Sequence, residues 1–201
     1  RRDTGTVDPV TQLLLAARDG DHDALERFIR ATQADVWRLC RHLGDPDTAD
    51  DLAQETFERA IGALHRYRAD GPARSWVLTI ARRTCADGTR RRTRRRRLDA
   101  RVADEHATGR SRVPGHTHIA DERISTGGGI GRIEIDDLLE RLVDDRREAF
   151  VLTQVLGLPY SEAAEVIGCP IGTVRSRVSR ARADLLTMLA VTESIGDGTD
   201  G

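Results

Sequence analysis

The stretch LPYSEAAEVIGCPIGTVRSRVSRARADLL, residues 158–186, carries the strongest structural signal in this chain. A short helix is predicted over residues 161–167, where two adjacent alanines let a second helix approach closely. Gly168-Cys169-Pro170 predicts the turn, because proline cannot continue the first helix. A second helix is predicted to begin near Gly172 or Thr173. This layout is that of a DNA-binding helix-turn-helix.

The second of these helices has two chemically different faces when it is projected at about 100° per residue. Ser176, Ser179 and Ala183 lie on one face, flanked by Arg175 and Arg180. Small residues beside arginines suit close entry into a major groove, where arginine binds guanine edges with two hydrogen bonds. The opposite face is predicted to be buried, and its apolar residues are Val174, Val178, Ala181 and Leu185.

Two further arginines, Arg177 and Arg182, project sideways from this helix and are better placed for phosphates than for bases. A solvated basic helix in an ordinary bundle is the alternative interpretation of such a pattern. The preceding short helix and turn favour the DNA-binding interpretation.

The whole chain is predicted to be all-α, with two small helical domains joined by a flexible linker. Its 201 residues are 38% hydrophobic and 32% charged, which is typical of a globular protein, and no strand pattern is convincing. The first domain is predicted over residues 8–98 (the first region) and the second over residues 135–190 (the second region). No stretch approaches the roughly 18–20 apolar residues of a membrane span, so no membrane association is expected.

The linker is predicted over residues 99–134. This segment is rich in Gly, His, Arg, Asp and Thr and contains STGGGIGR at residues 125–132. Such a composition has too few large apolar residues to fold alone.

The three cysteines are odd in number and far apart, which argues for a reducing cytoplasm and against a disulfide framework.

A row of polar residues follows one face of a predicted helix in the first region. Asp51, Gln54, Glu55 and Glu58 recur at i, i+3, i+4 and i+7; we call this row the acidic stripe. From the residues alone, a solvated helix face is the favoured interpretation. The functional alternative is docking onto a basic helix of a partner protein. The opposite, apolar face is predicted to consist of Ala53, Phe57, Ala60, Ile61 and Leu64.

The next helix of the first region is strongly basic. It is predicted to begin at Ala73, after a loop over residues 67–72, and it ends in an arginine block with seven arginines in residues 90–97. Seven like charges in eight positions repel unless a polyanion or a partner screens them. Tyr67 and Trp76 beside arginines offer stacking platforms for unpaired bases. A place for Trp76 in the hydrophobic core is the favoured alternative.

These segments together resemble the extracytoplasmic-function (group IV) sigma factors of bacterial RNA polymerase. Three stretches carry the resemblance in the family's order and spacing: ADDLAQETFERAIGAL at residues 49–64, RYRADGPARSWVLTIARR at residues 66–83, and REAFVLTQVLGLPYSEAAEVIGCPIGTVRSRVSRAR at residues 147–182. The resemblance covers residues 8–189 apart from the linker. It implies a protein that directs core RNA polymerase to specific promoters and supports their melting.

The resemblance also implies roles for particular residues and partners. The acidic stripe is expected to bind the β′ clamp of core polymerase, and the second region the β flap. The residues expected to bind the promoter −10 element are Tyr67, Arg68, Arg74, Trp76, Arg82, Arg83 and Arg90. Those expected to bind the −35 element are Thr173, Arg175, Ser176, Ser179 and Arg180. The resemblance leaves open whether an anti-sigma factor is a further partner.

Two departures from the family pattern limit what can be carried over. Trp76 is followed by Val77, whereas housekeeping sigma factors have paired tryptophans, so a tryptophan wedge is not expected. Ser179 stands where some relatives carry a larger side chain, and the −35 sequence is therefore not inferred by analogy.

The arginine block ends the helix that the resemblance assigns to the −10 element. Our hypothesis is that it contacts duplex phosphates just upstream, which would make DNA binding steeply salt-dependent.

Two other classes of protein are disfavoured. An autonomous helix-turn-helix regulator would need neither the acidic stripe nor the basic first region. An enzyme is disfavoured because STGGGIGR lacks the preceding strand and the following GK[ST] of a phosphate-binding loop. His116 and His118 have no Cys or carboxylate set to complete a metal site. No catalytic residue, metal or cofactor is therefore predicted.

Overall fold

The computed structural model describes residues 8–107 and 135–196, and within these ranges all regular structure is helical. The prediction of an all-α fold is therefore confirmed. Short 3-10 turns precede α3 and α4, and a π-helical turn follows α6. The helices are α1 Pro9–Arg18, α2 His22–Leu43, α3 Ala49–Ala63, α4 Ala73–Ala107, α5 Ile135–Glu140, α6 Asp144–Phe150, α7 Tyr160–Ile167 and α8 Ile171–Gly196.

Helices α1 to α4 form the first region around an aliphatic core. Asp8 and Asp21 begin α1 and α2 as N-caps, because their carboxylates accept the free backbone N–H groups of Thr11 and Ala24. The buried faces of α2 and α4 pack against each other, and both contribute fully buried side chains. These are Phe28, Val36 and Leu39 from α2, with Val77, Leu78 and Ala81 from α4.

The buried face of α3 agrees with the predicted one only in part. Ala60 is buried, and Ala53, Phe57 and Leu64 pack against the core, as predicted. Leu52 and Thr56 are buried, whereas Ile61 is 47% exposed. Thr56 fits the interior because its hydroxyl donates to the Leu52 carbonyl one turn earlier. The predicted apolar face did not include this polar residue. It was therefore rotated by about one position from the observed buried face.

The second region contains the predicted helix-turn-helix, within two residues of the expected bounds. Gly168 ends α7 with φ +78°, a left-handed conformation that glycine adopts without strain. Pro170 then separates α7 from α8. Val174 and Val178 of α8 are buried, as is Ala163 of α7, so the two helices pack through their small and aliphatic residues.

The two regions are packed against each other, which the sequence did not indicate. Helix α4 contacts α7, and α2 contacts α5 and α6, so that buried residues of both regions form one continuous cluster. Helix α4 continues to Ala107, nine residues into the segment predicted as a linker. Residues 108–134, which include STGGGIGR, His116 and His118, lie outside the described residues. No described helix is long and apolar enough to cross a membrane.

Candidate nucleic-acid and protein-binding surfaces

The acidic stripe lies on the outer side of α3, opposite the buried Ala60. Asp51, Gln54 and Glu58 are exposed, and Glu55 is half-buried. The amide of Gln54 donates to Glu58 Oε1 at 3.0 Å. Asp51 and Glu55 border a cleft of about 930 Å³, and residues 144, 145, 147 and 148 of the second region line it too. The stripe is thus accessible from solvent along most of its length.

Glu55 is the one residue of the stripe that is tied into a network of ion pairs. Its Oε1 accepts from Arg59 at 2.6 Å, and its Oε2 accepts from Arg91 at 2.7 Å. Arg59 also donates to Asp87 at 2.9 Å, which joins α3 to α4. The hydrogen bond from Arg91 is the largest cause that lowers the pKa of Glu55, so this carboxyl is held in its ionised form.

The arginine block divides into a partnered half and an unpartnered half. Arg91 pairs with Glu55, Arg92 pairs with Asp45, and Arg90 lies 3.8 Å from Asp87. The four arginines at residues 94–97 are exposed and form no ion pair with the part of the chain that the structure describes. Intramolecular carboxylates therefore balance the first three charges of the block and leave the last four available.

A cavity of about 400 Å³ opens beside the loop before α4. Tyr67 and Trp76 line it, with ring centroids 5.2 Å apart and ring planes inclined at 53°. The Tyr67 hydroxyl donates to the Gly71 carbonyl at 2.8 Å, which fixes the loop around the rings. Burial raises the pKa of Tyr67 and keeps this hydroxyl protonated as a donor. Trp76 packs on the core with part of its ring and faces the cavity as well.

Two other residues that the resemblance assigns to −10 binding, Arg74 and Arg82, are partly covered by the second region. Arg74 donates to Asp35 at 2.8 Å and to the Leu156 carbonyl at 2.6 Å. Arg82 forms an ion pair with Glu148. Arg68, Arg83 and Arg90 are exposed. The structure therefore does not bring the −10 residues together into one open surface.

Helix α8 presents the projected DNA-reading face to solvent. Arg175, Ser176, Ser179 and Arg180 are all exposed, and Thr173 at the start of the helix is half-buried. Neither Arg175 nor Arg180 has a hydrogen bond or an ion pair with another described residue. Two guanidinium groups are thus free on a face of otherwise small side chains.

Arg177 and Arg182 differ from those two arginines because both have partners within the second region. Arg177 pairs with Asp145, and Arg182 donates to Gln154 at 2.7 Å. These contacts tie α8 to α6 and to the π-helical turn. In this arrangement the two side chains stabilise the helix-turn-helix rather than project freely toward phosphates.

Sequence reasoning missed Glu148 and Glu162, which shape these surfaces, and it did not foresee the pairing of Arg91 with Glu55. Arg91 meets Glu55 across 36 positions and Glu148 meets Arg82 across 66, while Glu162 accepts from Ser75 across 87. Helical periodicity has no signal for pairs this far apart. Only the packing of α4 against its neighbours brings them together.

Two models of one protein family match the chain. The model described as Sigma-70 region 2 matches residues 28–95, and the one described as Sigma-70, region 4 matches residues 132–185. The first match contains the acidic stripe and the first part of α4. The second contains the helix-turn-helix.

Similar proteins agree with these matches along most of the chain. The ECF RNA polymerase sigma factor SigC of Mycobacterium tuberculosis is 46% identical over 177 residues, which is 88% of this chain and 89% of the relative. The ECF RNA polymerase sigma factor EcfG of Rhodopseudomonas palustris is 34% identical over 159 residues, which is 78% of this chain and 80% of the relative.

Solved structures give the same result. CnrH in complex with the cytosolic domain of CnrY matches with a TM-score of 0.65 and 26% identity, over 92% of this chain and 99% of that one. The sigma factor RpoE in complex with the anti-sigma factor NepR, from Bartonella quintana, matches with a TM-score of 0.61 and 27% identity. This match covers 83% of this chain and 96% of that one. Sequence, family models and fold therefore agree, and the chain belongs to the extracytoplasmic-function (ECF) family of RNA polymerase sigma factors.

Proposed function

We propose that this sigma factor directs core RNA polymerase to its promoters through three separate surfaces, and that it supports promoter melting. The observation that carries the proposal is the exposed face of α8, where two arginines among small residues pair with no described residue, on a chain that also has the acidic stripe. An autonomous helix-turn-helix regulator would need the first of these surfaces and not the second.

The acidic stripe is the proposed docking site for the β′ clamp. Asp51, Gln54 and Glu58 are exposed in a row on a rigid helix, and Glu55 is ionised beside them. A row of fixed carboxylates fits a basic helix of the partner by charge complementarity. The β flap is the proposed partner of the second region.

The cavity at Tyr67 and Trp76 is the proposed site for an unpaired base of the −10 element. Its volume of about 400 Å³ is within the range that binds small ligands. Aromatic rings stack on any base, and Arg68 at the rim is exposed for the adjoining phosphate. Arg74 and Arg82 join this surface when the second region moves away from α4.

The exposed face of α8 is the proposed reader of the −35 element. Arg175 and Arg180 are long enough to reach guanine edges, and Ser176 and Ser179 are small enough to let the helix enter the major groove. Thr173 lies at the start of the helix, where backbone N–H groups face the DNA phosphates.

Further assignments complete the proposal. Residues 8–98 and 135–190 act as the two promoter-binding domains, joined through residues 99–134. The unpaired arginines at 94–97 contact duplex phosphates. An anti-sigma factor is a proposed regulator, supported by the solved relatives CnrH and RpoE, each in complex with a further protein. The chain acts as an initiation factor in the cytoplasm without catalysis, a cofactor or a metal of its own, and the core enzyme makes the RNA.

Run-off transcription on a library of genomic promoters tests the proposal. Purified core polymerase is assayed alone and with the full chain. We expect discrete new start sites that share two sequence elements. In the same assay, a variant with Asp51→Asn and Glu55→Gln loses these transcripts, whereas Glu26→Gln, an exposed carboxylate change on α2, retains them.

Failure of the chain to bind core polymerase or to change its start sites would refute the sigma-factor mechanism. Specific binding of duplex DNA by the chain alone, together with that failure, would favour the autonomous regulator.

A further inference from the structure

Glu55 differs from the rest of the acidic stripe because an arginine already occupies each of its oxygens. Arg59 holds Oε1 at 2.6 Å and Arg91 holds Oε2 at 2.7 Å. The two arginines thus occupy one acceptor position on each oxygen of the carboxylate. A guanidinium group of a docking partner that binds both oxygens side by side therefore competes with these two arginines.

The two arginines are not equally easy to displace. Arg59 is one turn from Glu55 on the same helix, is 36% exposed, and is also held by Asp87. Arg91 comes from the arginine block, is 59% exposed, and has Glu55 as its hydrogen-bonded carboxylate. Solvent screens an exposed pair, and holding a long side chain in one geometry costs entropy. Arg91 is thus more easily displaced from Glu55 than Arg59 is.

We infer that Arg91 is an intramolecular competitor of core polymerase at Glu55: it pairs with this carboxylate in the free protein and is displaced when a basic polymerase surface docks. The inference rests on the proposed function, because it requires the acidic stripe to be the docking site. It makes Arg91 a residue that weakens docking, although it lies outside the stripe itself.

The same exchange connects docking to the arginine block. Once displaced, Arg91 lies unpaired one turn before the four unpaired arginines at 94–97, so polymerase binding adds a cation to the proposed phosphate-binding stretch. Coupling of this kind is reciprocal. A DNA phosphate that pairs with Arg91 also leaves Glu55 available to polymerase. Polymerase docking and phosphate binding therefore strengthen each other by the free energy of the Arg91–Glu55 ion pair.

A double-mutant cycle tests the competition. The affinity of core polymerase for the full chain is measured without DNA, at one ionic strength, for wild type, Arg91→Gln, Glu55→Gln and the double variant. We expect Arg91→Gln to bind about two- to fivefold more tightly than wild type, the range that exposed ion pairs support. In the Glu55→Gln background, the Arg91→Gln change has no effect, because the contested carboxylate is absent.

Two controls separate competition from general electrostatics. Arg95→Gln removes an equal charge from the same helix at a position with no ion pair, and its affinity stays at the wild-type value. Arg91→Lys keeps a cation at the site and also stays near wild type. The gain of Arg91→Gln shrinks as salt is raised, because salt screens exposed pairs.

Unchanged or weaker polymerase binding by Arg91→Gln overturns the inference, as does an equal gain in the Glu55→Gln background or with Arg95→Gln. The proposed function fails separately, when wild type itself does not bind core polymerase or when Glu55→Gln binds as tightly as wild type.

Discussion

Arginine is the only basic side chain in this protein besides histidine, yet individual arginines differ sharply in what they can do. Arg91 pairs with Glu55, whereas Arg95, one turn later on the same helix, is exposed without an ion pair to the residues that the structure describes. Arg177 is tied to Asp145, whereas Arg175 forms no ion pair with another described residue. The neighbouring carboxylate, and not the residue type, decides whether an arginine is available for DNA.

Gly44, between α2 and α3, is a residue where one added methyl group has a measurable consequence. A Cβ at this position would lie 2.4 Å from Leu52 Cδ1 and 2.7 Å from the Cys40 carbonyl oxygen. We expect Gly44→Ala to lower the free energy of unfolding by about 1–3 kcal/mol through overpacking. Thermal denaturation measures the change.

Gly62, in the last turn of α3, provides the matched control. Apart from its chain neighbours and the backbone of its own helix, no described atom lies within 4 Å of a Cβ added there. Gly62→Ala is therefore expected to raise stability by about 0.5–1 kcal/mol through the better helix propensity of alanine. A melting temperature for Gly44→Ala at or above that of Gly62→Ala would contradict this account.

At the scale of single elements, α4 and α8 each combine a packing face with a proposed nucleic-acid face. In α8 the two are separated around the helix, because Val174 and Val178 are buried while Ser176 and Arg180 are exposed. In α4 they are separated along the helix: its first part is packed in the core, and its arginine block extends into solvent. Each arrangement leaves the residues proposed to contact DNA outside the core.

Arg180 tests the proposed role of α8. Arg180→Ala is expected to weaken −35 binding by about 1–3 kcal/mol and to relax preference at one base pair, because alanine cannot form the bidentate hydrogen bonds to a base. Binding of holoenzyme to duplexes with single −35 substitutions measures both effects. Arg182→Ala is the control on the same helix, since Arg182 is bonded to Gln154. The assignment is wrong if both variants lose affinity equally for every sequence.

The arginines at 94–97 test the proposed role of the end of α4. Their replacement by alanine should flatten the dependence of log affinity on log salt by about 0.9 for each phosphate that is no longer neutralised. Promoter preference should not change, because phosphates carry no sequence information. Holoenzyme binding to one promoter, measured over a range of salt concentrations, gives the slopes. Identical slopes for wild type and variant would exclude the phosphate contacts.

At the scale of the whole molecule, the second region covers part of the proposed −10 surface. Glu148 pairs with Arg82, Glu162 accepts from Ser75 at 2.6 Å, and the Leu156 carbonyl accepts from Arg74. These polar contacts surround the apolar contact between α4 and α7. The proposed DNA contacts of Arg74 and Arg82 and the packing of the two regions therefore exclude each other.

The combined variant Glu148→Gln and Glu162→Gln tests this exclusion. Both changes weaken acceptors of the second region and leave the first region intact, so the free protein should bind a single-stranded −10 oligonucleotide severalfold more tightly. Fluorescence anisotropy measures the affinity. Glu140→Gln, an exposed charge removal on α5, should have no effect. Equal affinities for all three proteins would show that the contact does not limit DNA binding.

The helices, the helix-turn-helix and the outward face of α8 could be predicted from the sequence, because apolar periodicity records which side of a helix is buried. Three motifs in order also sufficed to identify the family. The packed structure was needed to show that Leu52 and Thr56, rather than Ile61, face the core, since a threonine bonded to its own helix is invisible to a hydrophobic pattern. It was needed as well to show which arginines are free. With 32 basic and 33 acidic residues, local sequence cannot specify pairs such as Arg91 with Glu55 or Arg82 with Glu148, because these form only when helices distant in the chain pack together.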